Sequence, residues 1–455
     1  MKAITRAWIL FSLTVLCFSV AFTLIARRAE AQDTTPPSLP PPPETQAAIS
    51  EAVQKAVQEN QQSVLGFLIN DIEVNHIIVS EDGRTALVWL AQRDQATGDI
   101  IGREPALAIA RNAQGTLAKS ADWQIDFEFG PDTQLDLNAL PAELVTDEMR
   151  QRFTVNQDVQ KLAAVTYTGY KLPWSTALKI RLTGSVAHFL DYKSCEEISC
   201  RYAYDFWNPD PGNRMFPLLA SKGGVIQAFR ESCSNGDTGC TNYLTLRDDS
   251  TSPPTYQLYY HLANDSVPSN YSVGTYIQQG QYIGNVDDTG YSSDHHLHFH
   301  VFSGPTTYYY WGYSVRIIFS DVPFNGGEPR TCAETINHSG YGTECSVGPD
   351  GKKLTADDNY LQSGNTGAYP PTGGLNAPAA WTTLTERILT VSGPASDNLG
   401  IARVQVLVNS DGTWRSVADA NQTNGAYTAA VDMCTAGIPD GPFQLAVRIW
   451  DIEGN

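Results

Sequence analysis

Half of the chain's eight histidines lie in one eight-residue stretch, Asp294–Val301, which reads DHHLHFHV. His296, His298 and His300 alternate there with apolar residues. Successive side chains of a β-strand point to opposite faces, so this spacing predicts three imidazoles on one face and three apolar side chains on the other. Such a strand can pack on a core and present nitrogen ligands to a cleft.

Other motifs stand in a fixed order before this strand: YAYDF at 202–206, YYHL at 259–262, GQYIG at 280–284 and DTG at 288–290. Together with HLHF at 296–299 they resemble the signature of the lysostaphin, LytM and β-lytic family of zinc metalloendopeptidases. The resemblance covers roughly 150 residues and rests on several motifs in order. It implies an antiparallel β catalytic fold with a long open groove.

The resemblance also implies one Zn²⁺ per chain, held by a histidine, an aspartate and the second histidine of HxH, with one position left for water. Asp205 and His298 match the last two ligands. Many family members place the first histidine four residues before the aspartate, where this chain has Arg201. The β-lytic branch places it further upstream, and His188 fits that arrangement.

The family's catalytic pair matches His261 and His296. One imidazole would accept a proton from water, and the other would donate a hydrogen bond to the oxyanion. The sequence leaves open which does which. His300 stands where the family usually has Glu, a position from which a side chain can orient a metal ligand. His295 is expected at the rim, on the opposite face.

The implied activity is hydrolysis of glycine-containing peptide bonds, in peptidoglycan cross-bridges or in Gly-rich protein segments. Glycine suits a narrow groove because it has no Cβ. Arg201 keeps open an alternative, a degenerate LytM-like module that binds cell wall or activates other hydrolases. A surface adhesion protein with a secondary peptidase activity is a third candidate.

Chain length, net charge and the N-terminal sequence limit the possible functions. The chain has 455 residues, which predicts two or three domains, and a net charge of −19, which argues against nucleic acid as a partner. Residues 1–31 contain an uncharged apolar run after Lys2 and Arg6, typical of a signal peptide, although an uncleaved membrane anchor stays open. The protein is therefore expected to be secreted or in the cell envelope.

The predicted fold class is multidomain and mainly β. A small α+β domain precedes the metallopeptidase domain, and an immunoglobulin-like β-sandwich follows it. The α+β domain is expected as a spacer or a prodomain that covers the groove; if trimming to Gly169 left hydrolysis unchanged, inhibition would be excluded. The predicted boundaries after residue 31 are a Pro-rich linker at 32–44, the α+β domain at 45–165, the metallopeptidase domain at 169–322, a disulfide-containing linker at 323–374 and the sandwich at 375–455, expected to lack its last strand.

Six of the eight cysteines form close pairs along the chain: Cys195/Cys200, Cys233/Cys240 and Cys332/Cys345. In an exported protein this spacing predicts short-loop disulfides. Cys434 is left without a partner, which fits a chain that continues beyond residue 455.

Overall fold

The fold is that of a computed structural model, which describes residues 41–112, 122–128, 137–153, 165–188, 190–192, 200–303, 311–337, 342–366, 371–397, 400–410, 412–423 and 425–451. These residues belong to one compact unit, Ser38–Asn455. The predicted signal peptide or anchor at 1–31 lies outside the described residues, as do Cys195 and His338. None of the described helices combines the length and apolarity needed to cross a membrane.

The N-terminal region is one amphipathic helix packed on an antiparallel meander. Helix α1 (Pro43–Asn60) buries Ile49, Val53 and Val57, whose spacing of four places them on one face. The short helix α2 (Leu65–Ile69) precedes four strands that pair in chain order. These strands are β1 (Asn70–Val79), β2 (Thr85–Asp94), β3 (Ala106–Asn112) and β4 (Trp123–Phe127). Helix α3 (Asp147–Arg152) follows them. Helices and an antiparallel sheet together make this region α+β, the class that the sequence predicts.

Twelve strands and one helix make up the central region. They are β5 (Thr166–Tyr170), β6 (Lys179–Gly184), β7 (Tyr204–Trp207), β8 (Pro217–Leu219), β9 (Gly224–Arg230), β10 (Tyr243–Asp248), β11 (Thr255–Tyr260), β12 (Tyr276–Ile277), β13 (Tyr282–Asn285), β14 (Leu297–Ser303), β15 (Arg316–Phe319), α4 (Cys332–Asn337) and β16 (Tyr360–Gln362). Eight of the strands form an antiparallel sheet in the order β12-β9-β10-β11-β14-β7-β6-β16. Strand β16 lies in the segment predicted as a linker, so that segment supplies one edge of the sheet.

Strand β14 has the two faces that its alternation predicts. Leu297, Phe299 and Val301 belong to the main hydrophobic core on one side of the sheet. His298 and His300 point to the other side and are buried as well. These histidines therefore lie on a covered face of the sheet. The family resemblance had implied a long open groove there.

Two disulfides occur among the described residues, Cys233–Cys240 and Cys332–Cys345, as the spacing predicts. The Cys195/Cys200 pairing stays a prediction, because Cys195 is not described. Cys434 is exposed and forms no disulfide with a described cysteine.

The C-terminal region consists of two antiparallel sheets. Their strands are β17 (Thr372–Gly373), β18 (Ile388–Ser396), β19 (Ile401–Asn409), β20 (Trp414–Asp419), β21 (Asn421–Thr423), β22 (Ala426–Asp432) and β23 (Gln444–Asp451). The sheets run β17-β18-β22-β21 and β20-β19-β23. Val391, Val404 and Val431 pack in a core that both sheets share, the layering of a β-sandwich. An immunoglobulin-like topology stays a prediction.

Candidate metal centre

Strands β7 and β14 pair so that Asp205 lies directly opposite His298. The Nδ1 atom of His298 is 3.1 Å from Oδ1 of Asp205. His188 follows β6, and its Nε2 lies 3.6 Å from Oδ2 of the same carboxylate. All three side chains are fully buried. The structure thus brings together the three residues that the resemblance implied as metal ligands, although they are far apart along the chain.

The loop that carries His188 is fixed by a carboxylate from helix α4. Glu334 accepts hydrogen bonds from the amides of Ser185 and Ala187, at 3.1 and 2.8 Å, and from the Ser185 hydroxyl at 2.7 Å. The Arg103 guanidinium donates to the carbonyl oxygen of His188 at 3.0 Å. His188 is therefore positioned both by helix α4 and by the connection between β2 and β3.

The polar atoms of this cluster fit a cation. Neither ring nitrogen of His188 has a hydrogen-bond partner among the described residues, which is unusual for an imidazole that is fully buried. Burial alone would raise the pKa of Asp205, but the neighbouring imidazoles, first of all that of His188, hold it well below its usual range. An ionised carboxylate beside two imidazoles is a donor set that zinc prefers.

A fourth candidate ligand comes from the N-terminal region, and the sequence analysis did not identify it. Oε1 of Glu104 is 3.2 Å from Nδ1 of His298. Candidate ligand atoms of Glu104, His188, Asp205 and His298 all lie within 4.8 Å of one another. The other oxygen of Glu104 pairs with the buried Arg152 guanidinium at 2.7 Å. If His188, Asp205 and His298 held a metal ion, the position left for water would therefore be next to the Glu104 carboxylate.

Glu104 belongs to residues 101–105, the end of the connection between β2 and β3, which we call the covering segment. Ser293 binds it twice, donating to the carbonyl of Arg103 through its amide at 3.0 Å and through its hydroxyl at 2.6 Å. Thr183 donates to the carbonyl of Gly102 at 2.8 Å. Hydrogen bonds from Ser293 and Thr183 therefore hold the covering segment in place beside the cluster.

His261 and His296 face each other beside the cluster, with ring centroids 4.5 Å apart. Nδ1 of His261 bonds the carbonyl of Thr289 at 2.6 Å, and Nδ1 of His296 lies 3.0 Å from the carbonyl of Asp294. A carbonyl only accepts, so both Nδ1 atoms carry the proton and both Nε2 atoms present lone pairs. Neither Nε2 has a hydrogen-bond partner among the described residues. Burial lowers the pKa of both histidines, and that of His261 well below the usual value.

His300 orients His298. Its Nδ1 is 2.9 Å from Nε2 of His298, the ring nitrogen on the far side from Asp205. An acceptor there fixes the tautomer of His298 that leaves Nδ1 free for a metal, the orienting role expected at this position. Trp311 stacks on the His298 ring at 5.1 Å.

Two other sequence expectations concern residues outside the cluster. Arg201, at the position where many family members have a ligand, lies over the ring of Tyr202 at 5.3 Å and takes no part. His295 is partly exposed, with its side chain 26% accessible, as expected of a rim residue.

Comparison with known proteins finds a family match within the central region. Residues 210–308 match the model of Peptidase family M23.

The chain contains an M23 peptidase domain.

The matched residues include His261, His296 and His298, while His188 and Asp205 precede them. The sequence resemblance to the lysostaphin and LytM peptidases is thereby confirmed at the level of the family. No curated protein matches the chain closely enough to count as a relative.

Solved structures of peptidases resemble the chain at low identity. The catalytic domain of lysostaphin from Staphylococcus simulans is 23% identical, over 34% of this chain and 90% of that one, with a TM-score of 0.19. The prophage-encoded M23 protein EnpA from Enterococcus faecalis is 17% identical over 30% and 88% of the chains, with a TM-score of 0.22. A zinc-containing peptidase from Vibrio cholerae is 13% identical over 55% and 88%, with a TM-score of 0.17.

Proposed function

We propose that the protein is an exported zinc metalloendopeptidase that cleaves glycine-containing peptide bonds of peptidoglycan cross-bridges. The observation that carries the proposal is the meeting of His188, Asp205 and His298 beside the paired rings of His261 and His296. A zinc ion held by those three ligands would supply Lewis-acid polarisation of the scissile carbonyl and acidify a water molecule. The two disulfides fit export.

The paired histidines supply the proton transfers. In their neutral forms both present Nε2 lone pairs, so either ring can take the proton of an attacking water molecule. The ring that carries this proton can then donate it to the oxyanion or to the leaving amine. Thr289 and Asp294 hold the two rings in this orientation through main-chain carbonyls, which cannot themselves titrate.

The preference for glycine is supported by Gly102 of the covering segment. A Cβ built on Gly102 would lie 2.3 Å from Cδ1 of Trp207 and 2.6 Å from the carbonyl oxygen of His295, closer than non-bonded atoms approach. The place that Gly102 occupies therefore has no room for a side chain. If substrate follows the path of the covering segment, glycine is the residue that this place admits.

The N-terminal region would keep the enzyme latent, the prodomain role foreseen from its position in the chain. Glu104 lies within the proposed ligand cluster, and the covering segment fills the sheet face that substrate needs. Activation then requires displacement or removal of that segment. Full activity would be expected only after this change.

Zinc analysis of the purified chain and of a His188→Ala variant tests the proposal. We expect the variant to lose the zinc of the hydrolytic site, and a Glu104→Gln form of the chain to hydrolyse pentaglycine, a reaction that adding His188→Ala abolishes. His76→Ala, a histidine of β1 far from the cluster in the sequence, is the matched control. A folded His188→Ala variant that keeps this zinc and hydrolyses pentaglycine would exclude the ligand assignment.

The same variants distinguish this enzyme from the alternative, a degenerate LytM-like module that binds cell wall or activates other hydrolases without hydrolysis. That alternative rested on Arg201 at the usual ligand position, and His188 now supplies an imidazole from elsewhere. A wall-binding module would retain peptidoglycan binding in the Glu104→Gln form without any release of glycine peptides.

A further inference from the structure

A second group of metal-binding side chains lies apart from the hydrolytic cluster. Asp287, Asp288 and His295 offer ligand atoms that all lie within 4.8 Å of one another. We propose that these three residues bind a second divalent transition-metal ion, of which Zn²⁺ is the best fit. This proposal does not depend on zinc at the hydrolytic site.

The Asp287 carboxylate is the first support. Its side chain is 0% accessible, and neither oxygen accepts a hydrogen bond from a described residue. A buried carboxylate without hydrogen bonds is costly unless a cation neutralises it. Its Oδ1 lies 3.2 Å from Nε2 of His295, close to the roughly 3–3.5 Å that separates two ligands of one zinc ion with bonds of about 2.1 Å.

The orientation of His295 is the second support. Its Nδ1 is 3.0 Å from Oδ1 of Asp294, and Asp294 is in turn held by the Arg214 guanidinium at 2.7 Å. A carboxylate that accepts from Nδ1–H leaves a lone pair on Nε2, directed at Asp287. Two facing lone pairs repel, so a proton or a cation must lie between them. The carboxylate–histidine–metal arrangement is a common way of orienting a ligand imidazole.

Charge favours the metal over the proton. Three carboxylates surround His295, those of Asp287, Asp288 and Asp294, and the Arg214 guanidinium is shared between Asp294 and Asp99. A protonated His295 supplies one positive charge, whereas a divalent ion supplies two and so compensates more of this negative charge.

The mixed donor set points to the kind of ion. An imidazole with carboxylates suits Zn²⁺ and its neighbours, whereas Ca²⁺ takes only oxygen ligands. His295 and Asp288 are both partly exposed, so solvent ions can reach the site.

The second site is linked to the catalytic pair through the main chain. The amide of Asp287 donates to the carbonyl of His261 at 2.7 Å, and the amide of His296 donates to the carbonyl of Asp287 at 3.2 Å. An ion bound by the Asp287 side chain would therefore stiffen the segment from which both catalytic histidines are supported.

Equilibrium dialysis of the full chain against buffered Zn²⁺, followed by elemental analysis, tests the proposal. We expect two zinc ions per chain in the wild type, one in His295→Ala, one in His298→Ala and none when both substitutions are combined. His76→Ala, the control, should keep two. The single variants thus distinguish failure of this site from failure of the hydrolytic one.

Asp288→Asn changes a partly exposed side chain and preserves its shape, so it serves if His295→Ala does not fold, as judged by circular dichroism. It should weaken the second zinc at least tenfold. One zinc in the wild type that disappears in His298→Ala would overturn the proposal, as would an unchanged second zinc in folded His295→Ala and Asp288→Asn. Displacement of the second zinc by equimolar Ca²⁺ would overturn the assignment to a transition metal.

Discussion

The Glu104 carboxylate lies 3.2 Å from Nδ1 of His298, the nitrogen that also faces Asp205. An acidic side chain of the N-terminal region is thus in contact with the atom through which His298 would bind zinc. Its second oxygen pairs with Arg152, and both partners are almost completely buried. The contact joins the N-terminal region to the proposed metal centre, and the proposed latency would act through it.

Replacing Glu104 by Gln should activate the full chain. The change removes the negative charge that contacts His298 and pairs with Arg152, but it preserves the shape of the side chain. Removing one partner of a buried ion pair costs about 3–5 kcal/mol, and each 1.4 kcal/mol shifts a population tenfold. We therefore expect at least about tenfold faster pentaglycine hydrolysis. Glu51→Gln, an exposed position on α1, is the matched control. Equal rates for wild type and a folded Glu104→Gln variant would rule out the proposal that Glu104 keeps the enzyme latent.

Gly102→Ala should also activate, for a steric reason. The added methyl group meets Trp207 and the His295 carbonyl, so the covering segment must lift from the sheet face. Faster pentaglycine hydrolysis and faster proteolytic cutting within residues 95–105 are expected together. Gly212→Ala, where the nearest atom to a new Cβ is 3.5 Å away, is the control and should change neither. An inactive Gly102→Ala protein with an uncut, tightly held segment would contradict the prediction.

The local pattern of β14 was predictable because the period of a strand is short. Alternation alone assigned Leu297, Phe299 and Val301 to the core and the histidines to the other face, and the structure agrees. Helix α1 has a comparable local regularity, since Ile49, Val53 and Val57 recur every four residues on its buried face. These features depend on neighbours in sequence, which is what such patterns record.

Glu104 could not be found in this way. It is one of 49 acidic residues, and its neighbours carry no motif. Its role depends on packing between distant segments, such as the ion pair with Arg152. The function of Glu334 was hidden for the same reason, since it lies in a segment that reads as a linker. The lack of room for a side chain at Gly102 likewise arises only when Trp207 packs against that residue.

His300 is expected to set zinc affinity at the hydrolytic site. Replacing it by Ala removes the acceptor of the His298 Nε2–H, and loss of such an orienting partner typically weakens metal binding about 10–100-fold. His300→Glu, which introduces the residue common in the family, should remain within tenfold of the wild type. Competition with a chromophoric chelator measures both, with His76→Ala as the control. Unchanged affinity in His300→Ala would show that Trp311 packing alone orients His298.

His261 and His296 should separate catalysis from metal binding. In each, Nε2 has no hydrogen-bond partner among the described residues, and both lie outside the proposed ligand set, so replacing either by Ala should leave the hydrolytic zinc bound. Loss of a general acid or base costs roughly 10²–10⁴-fold in rate, and kcat for pentaglycine should fall by that amount in the activated Glu104→Gln chain. The double variant should fall little further than the worse single one if the rings have separate roles in one step, one taking the proton and the other donating to the oxyanion. Loss of the zinc along with the activity would instead make these histidines ligands and require a different catalytic base.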